Sequence, residues 1–262
     1  MPQPSYPYAC ARISALEKGL LSGQTIRRMA EGSLDDAMRL LLEARYGGMP
    51  DATSADCERM IENTLERAAE TVRELSPEPE LTDLFLLQTD AHNLKVLIKA
   101  RLLGTSETLW LGGGLYEREK LSAMVAAQKY DELPEAMRVA LDRLERKLKA
   151  QPLPQMVSVL VDYGYLKCCM EASKKCKEPF ARQYFSALCD FDNVITFFRM
   201  RAMGAQKEDL RDVLLPRGGI RSDELIGAYD LSAEALVKAL SGGVAREAMR
   251  AGLSAMLTSG NV

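Results

Sequence analysis

The chain has 262 residues, of which 47% are hydrophobic and 27% are charged, and its 34 basic and 37 acidic side chains leave a formal charge of −3. This composition is typical of a globular protein, and the charge balance argues against DNA or RNA as the main partner. No uncharged apolar run approaches the roughly 18–20 residues that span a bilayer, and residues 1–10 do not resemble a signal peptide. We therefore expect a soluble, cytoplasmic protein, compatible with a place against a membrane complex.

Helical periodicity dominates the chain. In residues 33–48 apolar side chains recur at helical spacing after Ser33, a suitable N-cap, and we expect Gly47 and Gly48 to end this helix. Further helices are predicted at about 54–75, 80–103, 117–128, 132–149, 154–177, 179–203, 206–214, 222–229, 232–240 and 244–258. No segment reads convincingly as a strand, so the predicted fold class is all-α.

Three of the six cysteines, Cys168, Cys169 and Cys176, lie close together in sequence. A metal site usually shows a C-x-x-C spacing or includes histidine ligands, and the single histidine, His92, is far away in sequence. The pattern favours buried free thiols. We expect no metal site and no cofactor.

A polar frame occurs twice in the chain, in DAHNLKVLIKAR (90–101) and in DFDNVITFFRMR (190–201). The two segments lie 100 residues apart, and a glycine follows each of them. The matched polar residues are Asp90, Asn93 and Arg101 in the first copy and Asp190, Asn193 and Arg201 in the second.

The similarity continues beyond the polar frame. LGGGLYEREKL (111–121) resembles PRGGIRSDEL (216–225), and YDELPEAM (130–137) resembles YDLSAEAL (229–236). Several matches in the same order indicate duplication of a helical subdomain. We predict repeat cores at about 80–137 and 180–236 within one domain that covers residues 1–262.

Helix geometry restricts what the polar frame can do. Eleven residues return a side chain to within about 20° of its starting direction, three turns along the helix. Asp90 and Arg101 therefore share a stripe but lie too far apart to pair, and the same holds for Asp190 and Arg201. Each polar group must bond to another segment of its own subdomain, joining neighbouring helices, or to a partner chain.

The pattern D-x-x-N-L-x-x-L-x-x-A-x-x-x-G on a long helix, followed by a Gly-Gly turn, resembles the C subunit of the archaeal and bacterial V-type (A-type) rotary ATPases, the counterpart of the d subunit of the eukaryotic V-ATPase. The opening residues 6–22 and the segment LLEARYGG (41–48) are also similar to that family. The resemblance covers nearly the whole chain. The matching residues are Asp90, Asn93, Leu94, Leu97, Ala100 and Gly104, and in the second copy Asp190, Asn193, Val194, Phe197, Met200 and Gly204.

The resemblance implies an all-α protein of three similar subdomains arranged as a funnel with pseudo-threefold symmetry. It implies a peripheral position on the cytoplasmic face of the membrane, close to the bilayer but not inserted. The implied partners are the central-shaft subunits, received by the funnel, and the membrane rotor ring. Such a protein couples the shaft to the ring during ATP-driven or ATP-producing ion transport and has no active site of its own.

The chain departs from that pattern in its third copy. No Asp/Glu-x-x-Asn frame occurs after residue 204, so we expect the third subdomain to be incomplete. An incomplete subdomain would leave apolar side chains such as Ala251, Leu253 and Met256 poorly covered.

An enzyme is one alternative interpretation. Asp35 and Asp36 resemble part of the Asp-rich motif of helical isoprenoid synthases, but Arg39 stands near the position of the next acidic residue. The segment LGGGLY (111–116) resembles a phosphate loop, but no predicted strand precedes it and no Lys-Ser/Thr pair follows it. Both patterns favour ordinary helix and turn structure.

Two further alternatives are an unrelated helical adaptor between proteins and a protein that binds the membrane surface. The adaptor would share the helical composition and the lack of catalytic motifs. Basic clusters at 143–150 and 174–177 could favour acidic headgroups. The first cluster is interleaved with acidic residues, which is typical of a solvated helix face.

Overall fold

The computed structural model describes residues 5–106, 109–176, 179–215, 218–243 and 245–259. Within these ranges the regular structure is helical and no strand occurs, which confirms the predicted all-α class. The α-helices are α1 (Tyr6–Glu17), α2 (Gly23–Glu31), α3 (Leu34–Glu43), α4 (Cys57–Leu75), α5 (Pro79–Leu103), α6 (Arg118–Ala127), α7 (Glu135–Ala150), α8 (Pro154–Ser173), α9 (Pro179–Ala202), α10 (Ser222–Gly227), α11 (Ala233–Leu240) and α12 (Arg246–Ser259). Short 3₁₀ helices occur at Tyr46–Gly48, Ser54–Asp56 and Lys207–Asp212.

The chain divides into two compact units. One unit contains Met1–Asn93 with Thr108–Arg118, and the other contains Leu94–Glu107 with Glu119–Val262. Because the division falls within α5, the repeated polar residues of the first copy belong to different units.

The first unit contains a small core around Met38, Ala52 and Met60. Ser33 caps α3 by accepting a hydrogen bond from a backbone N–H, as predicted. The helix nevertheless ends at Glu43, earlier than predicted, because the chain already enters the left-handed region at Arg45 (φ 52°). The later glycines shape the turn that follows.

The chain opens with two helices, α1 and α2, and the second of them was not predicted from the sequence. The first ends at Glu17, and Ser22 then starts α2 by accepting a hydrogen bond from the N–H of Thr25 at 3.0 Å. A serine with extended backbone satisfies donors of a new helical turn that would otherwise have no partner. The N-cap signal at Ser22 was overlooked in the sequence.

The second unit is built around helix pairs in which α7 packs on α8 and α8 packs on α9. Gly164 of α8 permits a close approach to α7, because a Cβ at this position would lie 2.9 Å from the Cβ of Ala140. The α11–α12 pair belongs to the same unit.

The α11–α12 pair corrects one expectation about the end of the chain. Leu253, predicted to be poorly covered, is only 3% exposed. Met256 is half-buried and Ala251 is exposed. The α12 face that carries Leu253 is therefore covered within the described residues, and the prediction was wrong for this side chain.

Other predicted helices agree with the structure within a few residues, with two differences. The segment predicted as a helix at 206–214 forms the 3₁₀ helix Lys207–Asp212, and α8 ends at Ser173. Four residues covered by predictions lie outside the described part of the chain. Lys177 belongs to a predicted helix and to the basic cluster at 174–177, Pro216 and Arg217 belong to the second glycine turn, and Val244 begins a predicted helix.

Candidate functional site

Asp90 on α5 binds the loop that follows the helix. Its carboxylate accepts hydrogen bonds from the backbone N–H groups of Leu115 at 2.8 Å and Tyr116 at 3.2 Å. The Asp90 side chain is fully buried. Burial raises its pKa to about 6, although the two backbone hydrogen bonds act in the opposite direction.

Asn93, one turn further along α5, binds the same loop through both ends of its amide. Its Nδ2 donates to the carbonyl of Leu111 at 2.8 Å, and its Oδ1 accepts from the N–H of Leu111 at 3.0 Å. Two side chains of one helix thus satisfy four backbone groups of the loop. We call Asp90, Asn93 and the loop 111–116 the first clamp.

The second copy makes the same four bonds within the second unit. Asp190 accepts from the N–H groups of Gly219 at 2.9 Å and Ile220 at 2.8 Å. Asn193 donates to the carbonyl of Leu215 at 2.9 Å and accepts from its N–H at 2.8 Å. We call Asp190, Asn193, Leu215 and residues 218–220 the second clamp.

The hydrogen bonds show which loop residues of the two copies occupy equivalent positions. This alignment of the loops differs by one residue from the alignment that the glycine pairs suggest in the sequence. Sequence comparison matched Leu115 with Ile220, because each follows Gly-Gly. In the structure Leu115 occupies the place of Gly219, and Gly114 the place of Gly218. The clamp binds backbone N–H groups, so residue type at those positions carries little information about the register.

A glycine lies against each clamping carboxylate. A Cβ added to Gly114 would overlap Asp90, and a Cβ added to Gly218 would overlap Asp190. Gly243, in the loop between α11 and α12, lies against the Asp190 carboxylate as well, with φ at +76°. A glycine from a second loop, Gly243, therefore packs against the second clamp.

The two long helices also end in the same way. Gly104 and Gly204 adopt φ of 65° and 66°, and the next residue donates its N–H to the carbonyl five positions earlier, at 3.1 Å in both helices. This is the Schellman arrangement, in which a left-handed residue lets the chain reverse and satisfy helix carbonyls. Both positions therefore favour glycine, because the backbone there adopts a positive φ.

Arg101 binds a carboxylate inside the second unit. Its Nη2 lies 2.8 and 2.7 Å from the two carboxylate oxygens of Glu145 on α7, and its Nη1 donates to the carbonyl of Val125 at 2.5 Å. Tyr130 donates its hydroxyl to Glu145 at 2.5 Å. Burial and the hydrogen bond to Glu145 raise the pKa of the Tyr130 phenol.

Arg201 has different surroundings. Its guanidinium lies over the rings of Phe197 and Tyr229, 5.6 and 5.9 Å from their centroids. Within the described part of the chain, no carboxylate lies within ion-pair distance of it. If the Tyr-Asp segments are aligned, Val244 stands at the position that Glu145 occupies in the first copy.

The six repeated residues do not meet in one place. Each Asp-Asn pair binds its own loop, Arg101 binds Glu145, and Arg201 lies on aromatic rings. These contacts position loop backbone and join helices. The predicted contacts with partner chains stay a prediction.

Sequence reasoning did not identify Glu145 as the partner of Arg101. Glu145 is 6% exposed and shares the buried face of α7 with Leu141, Leu144 and Leu148. An acidic residue inside an apolar stripe is a detectable signal, because burial of an unpaired carboxylate is costly. The signal does not reveal which cation pairs with it.

The predicted buried free thiols are confirmed for Cys168 and Cys169 but not for the third cysteine of that cluster, Cys176. Cys168, Cys169 and Cys189 are buried free thiols, and Cys176 is half-buried. Burial raises the pKa of Cys168 to about 11. Among the described residues, no group of three or more His, Cys, Asp or Glu side chains is arranged to hold a metal ion. Within the same ranges, no helix is both long and apolar enough to cross a membrane.

Comparison with known proteins adds a family relationship. The profile of the ATP synthase (C/AC39) subunit family matches residues 9–261. The C subunit of the V-type sodium ATPase of Enterococcus hirae is 24% identical over 217 residues, covering 82% of this chain and 66% of that protein. The C subunit of the A-type ATP synthase of Pyrococcus abyssi is 25% identical over 251 residues, covering 90% and 66%.

A third relative gives the same picture. The C subunit of the V-type ATP synthase of Thermus thermophilus is 27% identical over 213 residues, which cover 76% of this chain and 64% of that protein. The chain therefore spans slightly less than two thirds of the length of these curated relatives.

Proposed function

Because the chain belongs to the ATP synthase (C/AC39) subunit family, we propose that it is a non-catalytic central-stalk subunit of a rotary V/A-type ATPase. In this role it couples the central shaft to the membrane rotor ring. The coupling serves ATP-driven or ATP-producing transport of protons or sodium ions.

The family match over residues 9–261 carries this proposal. The two clamps agree with a mechanical role, because each holds a loop against one helix through four hydrogen bonds. A protein that transmits torque needs connections that do not yield between its helices. Buried and fully satisfied polar contacts rigidify a fold in this way.

The proposed architecture follows from the repeated frame. We propose that residues 1–262 belong to one domain of this family's type, with duplicated cores at about 80–137 and 180–236. A pseudo-threefold funnel is the arrangement that suits this function. The identical bonds of the two clamps support the duplication.

The proposed location is peripheral, on the cytoplasmic face of the membrane. The partners would be the central-shaft subunits on one side and the rotor ring on the other. Contact with the ring would bring the chain near lipid without insertion.

Native mass spectrometry of the purified chain with the central-shaft subunits of the same organism's V/A-type ATPase tests this proposal. We expect a one-to-one complex. The detergent-solubilised rotor ring is the second binding partner to be measured. If the folded chain binds neither the shaft nor the ring, the proposed function is wrong.

A further inference from the structure

A cluster of charged side chains lies on three helices of the second unit. Asp162 of α8 accepts from Nζ of Lys95 on α5 at 2.6 Å and lies 3.5 Å from Nη1 of Arg199 on α9. One turn away on α8, Ser158 accepts from Nζ of Lys99 at 2.9 Å. The polar face of α8 is therefore lined by cations from both sides.

The charges of this cluster do not balance. Lys99 bonds a neutral hydroxyl, and its pKa is lowered by burial and by the neighbouring cations Lys95 and Arg199, with Asp162 opposing. Three cations thus share the region with Asp162 and the nearby Asp192 of α9. A positive excess remains.

Asp192 makes this excess dependent on pH. No donor among the described residues hydrogen-bonds its carboxylate. Burial and the carboxylate of Asp162 raise its pKa to about 7, while Arg199 and Lys95 oppose the rise. These groups face Asp192 from α8, α9 and α5. Near neutral pH the carboxylate is only partly ionised, so the region becomes more positive as pH falls.

The cluster remains accessible to a binding partner. The side chains of Lys95 and Arg199 are 24% and 37% exposed to solvent. Two large apolar side chains lie on the same helices, one turn from the cations: Ile195 is 46% exposed on α9 and Leu103 is 61% exposed on α5. Exposed apolar groups beside cations suit a polypeptide better than a small inorganic anion.

We propose that Lys95, Lys99 and Arg199, with Ile195 and Leu103 at their edge, form a docking surface for an acidic segment of a partner polypeptide. Carboxylates of that segment pair with the excess cations. The inference deepens the proposed function, on which it rests for the identity of the partner, one of the central-shaft subunits.

The test compares the affinities of the whole chain and its variants for the shaft subunits and for a synthetic oligo-glutamate peptide. Removing one cation with Lys99→Ala is expected to weaken binding of both about five- to tenfold, and charge reversal with Lys99→Glu to weaken it further. Lys149→Ala is the matched control, because Lys149 is an exposed lysine on α7 in the same unit. Its affinities should equal those of the unmodified chain.

The pH dependence provides an independent readout. Lowering the pH from about 8 to about 6 protonates Asp192 and should tighten binding of oligo-glutamate, whose carboxylates stay ionised. The isosteric variant Asp192→Asn should show a nearly flat profile over this range. Circular dichroism of each variant establishes that it is folded.

The outcomes separate this inference from the proposed function. If the chain binds the shaft and the Lys99 variants bind it equally well, the docking surface is wrong and the proposed function stands. If the chain does not bind the shaft, the shaft is not the partner. The effect of the Lys99 variants on oligo-glutamate binding still shows whether the surface binds acidic peptide. Equal competition by inorganic phosphate and oligo-glutamate would overturn the polypeptide assignment in favour of a small-anion site.

Discussion

The first and second copies of the polar frame share their clamps and differ in their arginines. Asp90 and Asp190 each accept two backbone N–H bonds, and both long helices end in the same left-handed glycine turn. Arg101 nevertheless pairs with Glu145, whereas Arg201 lies on two aromatic rings.

The difference follows from what each side chain contacts. The clamps bind backbone within the loop after the same helix, so they are preserved by a loop of suitable path that keeps a glycine against the carboxylate, as Gly114 and Gly218 do. The arginines depend on side chains of distant helices. Leu97 of the first copy corresponds to Phe197 of the second, and the Phe197 ring is one of the two aromatic contacts of Arg201. Local contacts therefore persist through duplication while long-range side-chain pairs diverge.

The largest expected effect comes from Arg101→Ala, which leaves the buried Glu145 carboxylate without its cation. We expect the free energy of unfolding to fall by about 3–4 kcal/mol. Arg201→Ala, which removes only ring contacts, should cost about 1 kcal/mol. Urea denaturation followed by circular dichroism measures both changes.

Arg138→Ala, which removes a partly exposed pair with Asp142 on α7, is the control and should have little effect. We also expect the Arg101 and Arg201 variants to lose stability rather than partner binding. Equal losses of stability for these two variants would remove the distinction between the two arginines.

The second-largest expected effect is that the stability contributed by Asp90 of the first clamp depends on pH. Because the pKa of Asp90 is about 6 in the folded state and about 3.9 in an unfolded chain, the folded state binds the proton more tightly. Its contribution to stability is complete below about pH 4 and is lost as pH rises through about 6, with a total change of at most about 3 kcal/mol.

Comparison with Asp90→Asn isolates this contribution, since the amide does not titrate over that range. The stability of the unmodified chain relative to the variant should decrease from about pH 4 to about pH 7. Asp190→Asn should give the same sign, since burial raises the pKa of Asp190 as well. A relative stability that stays constant or increases with pH would show that Asp90 is not desolvated as described.

Gly243 distinguishes the second clamp from the first. Gly243→Ala places a methyl group against the Asp190 carboxylate at a positive φ, and we expect a loss of about 2–3 kcal/mol. Gly204→Ala is the control, because that residue has a similar φ with nothing within 4 Å of the added Cβ. The control should lose only about 1 kcal/mol. Thermal unfolding of both variants compares them directly, and similar losses would mean that φ alone matters at Gly243.

The smallest expected difference concerns the two tyrosines. Tyr130→Phe removes a hydrogen bond to a buried carboxylate, whereas Tyr229→Phe removes one to the carbonyl of Ala205. Bonds to charged groups contribute more, so we expect losses of about 2 and about 1 kcal/mol. Chemical denaturation of the two variants provides the measurement. A larger loss for Tyr229→Phe would reverse the order of the two contacts.

The sequence by itself determined the all-α class, most helix positions and the repeated polar residues. These properties arise from short-range causes: helical spacing of apolar residues, a serine cap such as Ser33, and glycines such as Gly104 and Gly204 that end helices. Each cause acts within a few residues, so it can be read along the chain.

Only the tertiary structure decided the partners of those polar residues. The bond between Arg101 and Glu145 joins positions 44 residues apart, and the contact between Lys95 and Asp162 joins positions 67 residues apart. The clamp register also came from the structure, because Asp90 and Asp190 bind backbone N–H groups that every non-proline residue carries. Which segments meet in space depends on packing of the whole unit, and that is why a single sequence did not reveal these pairs.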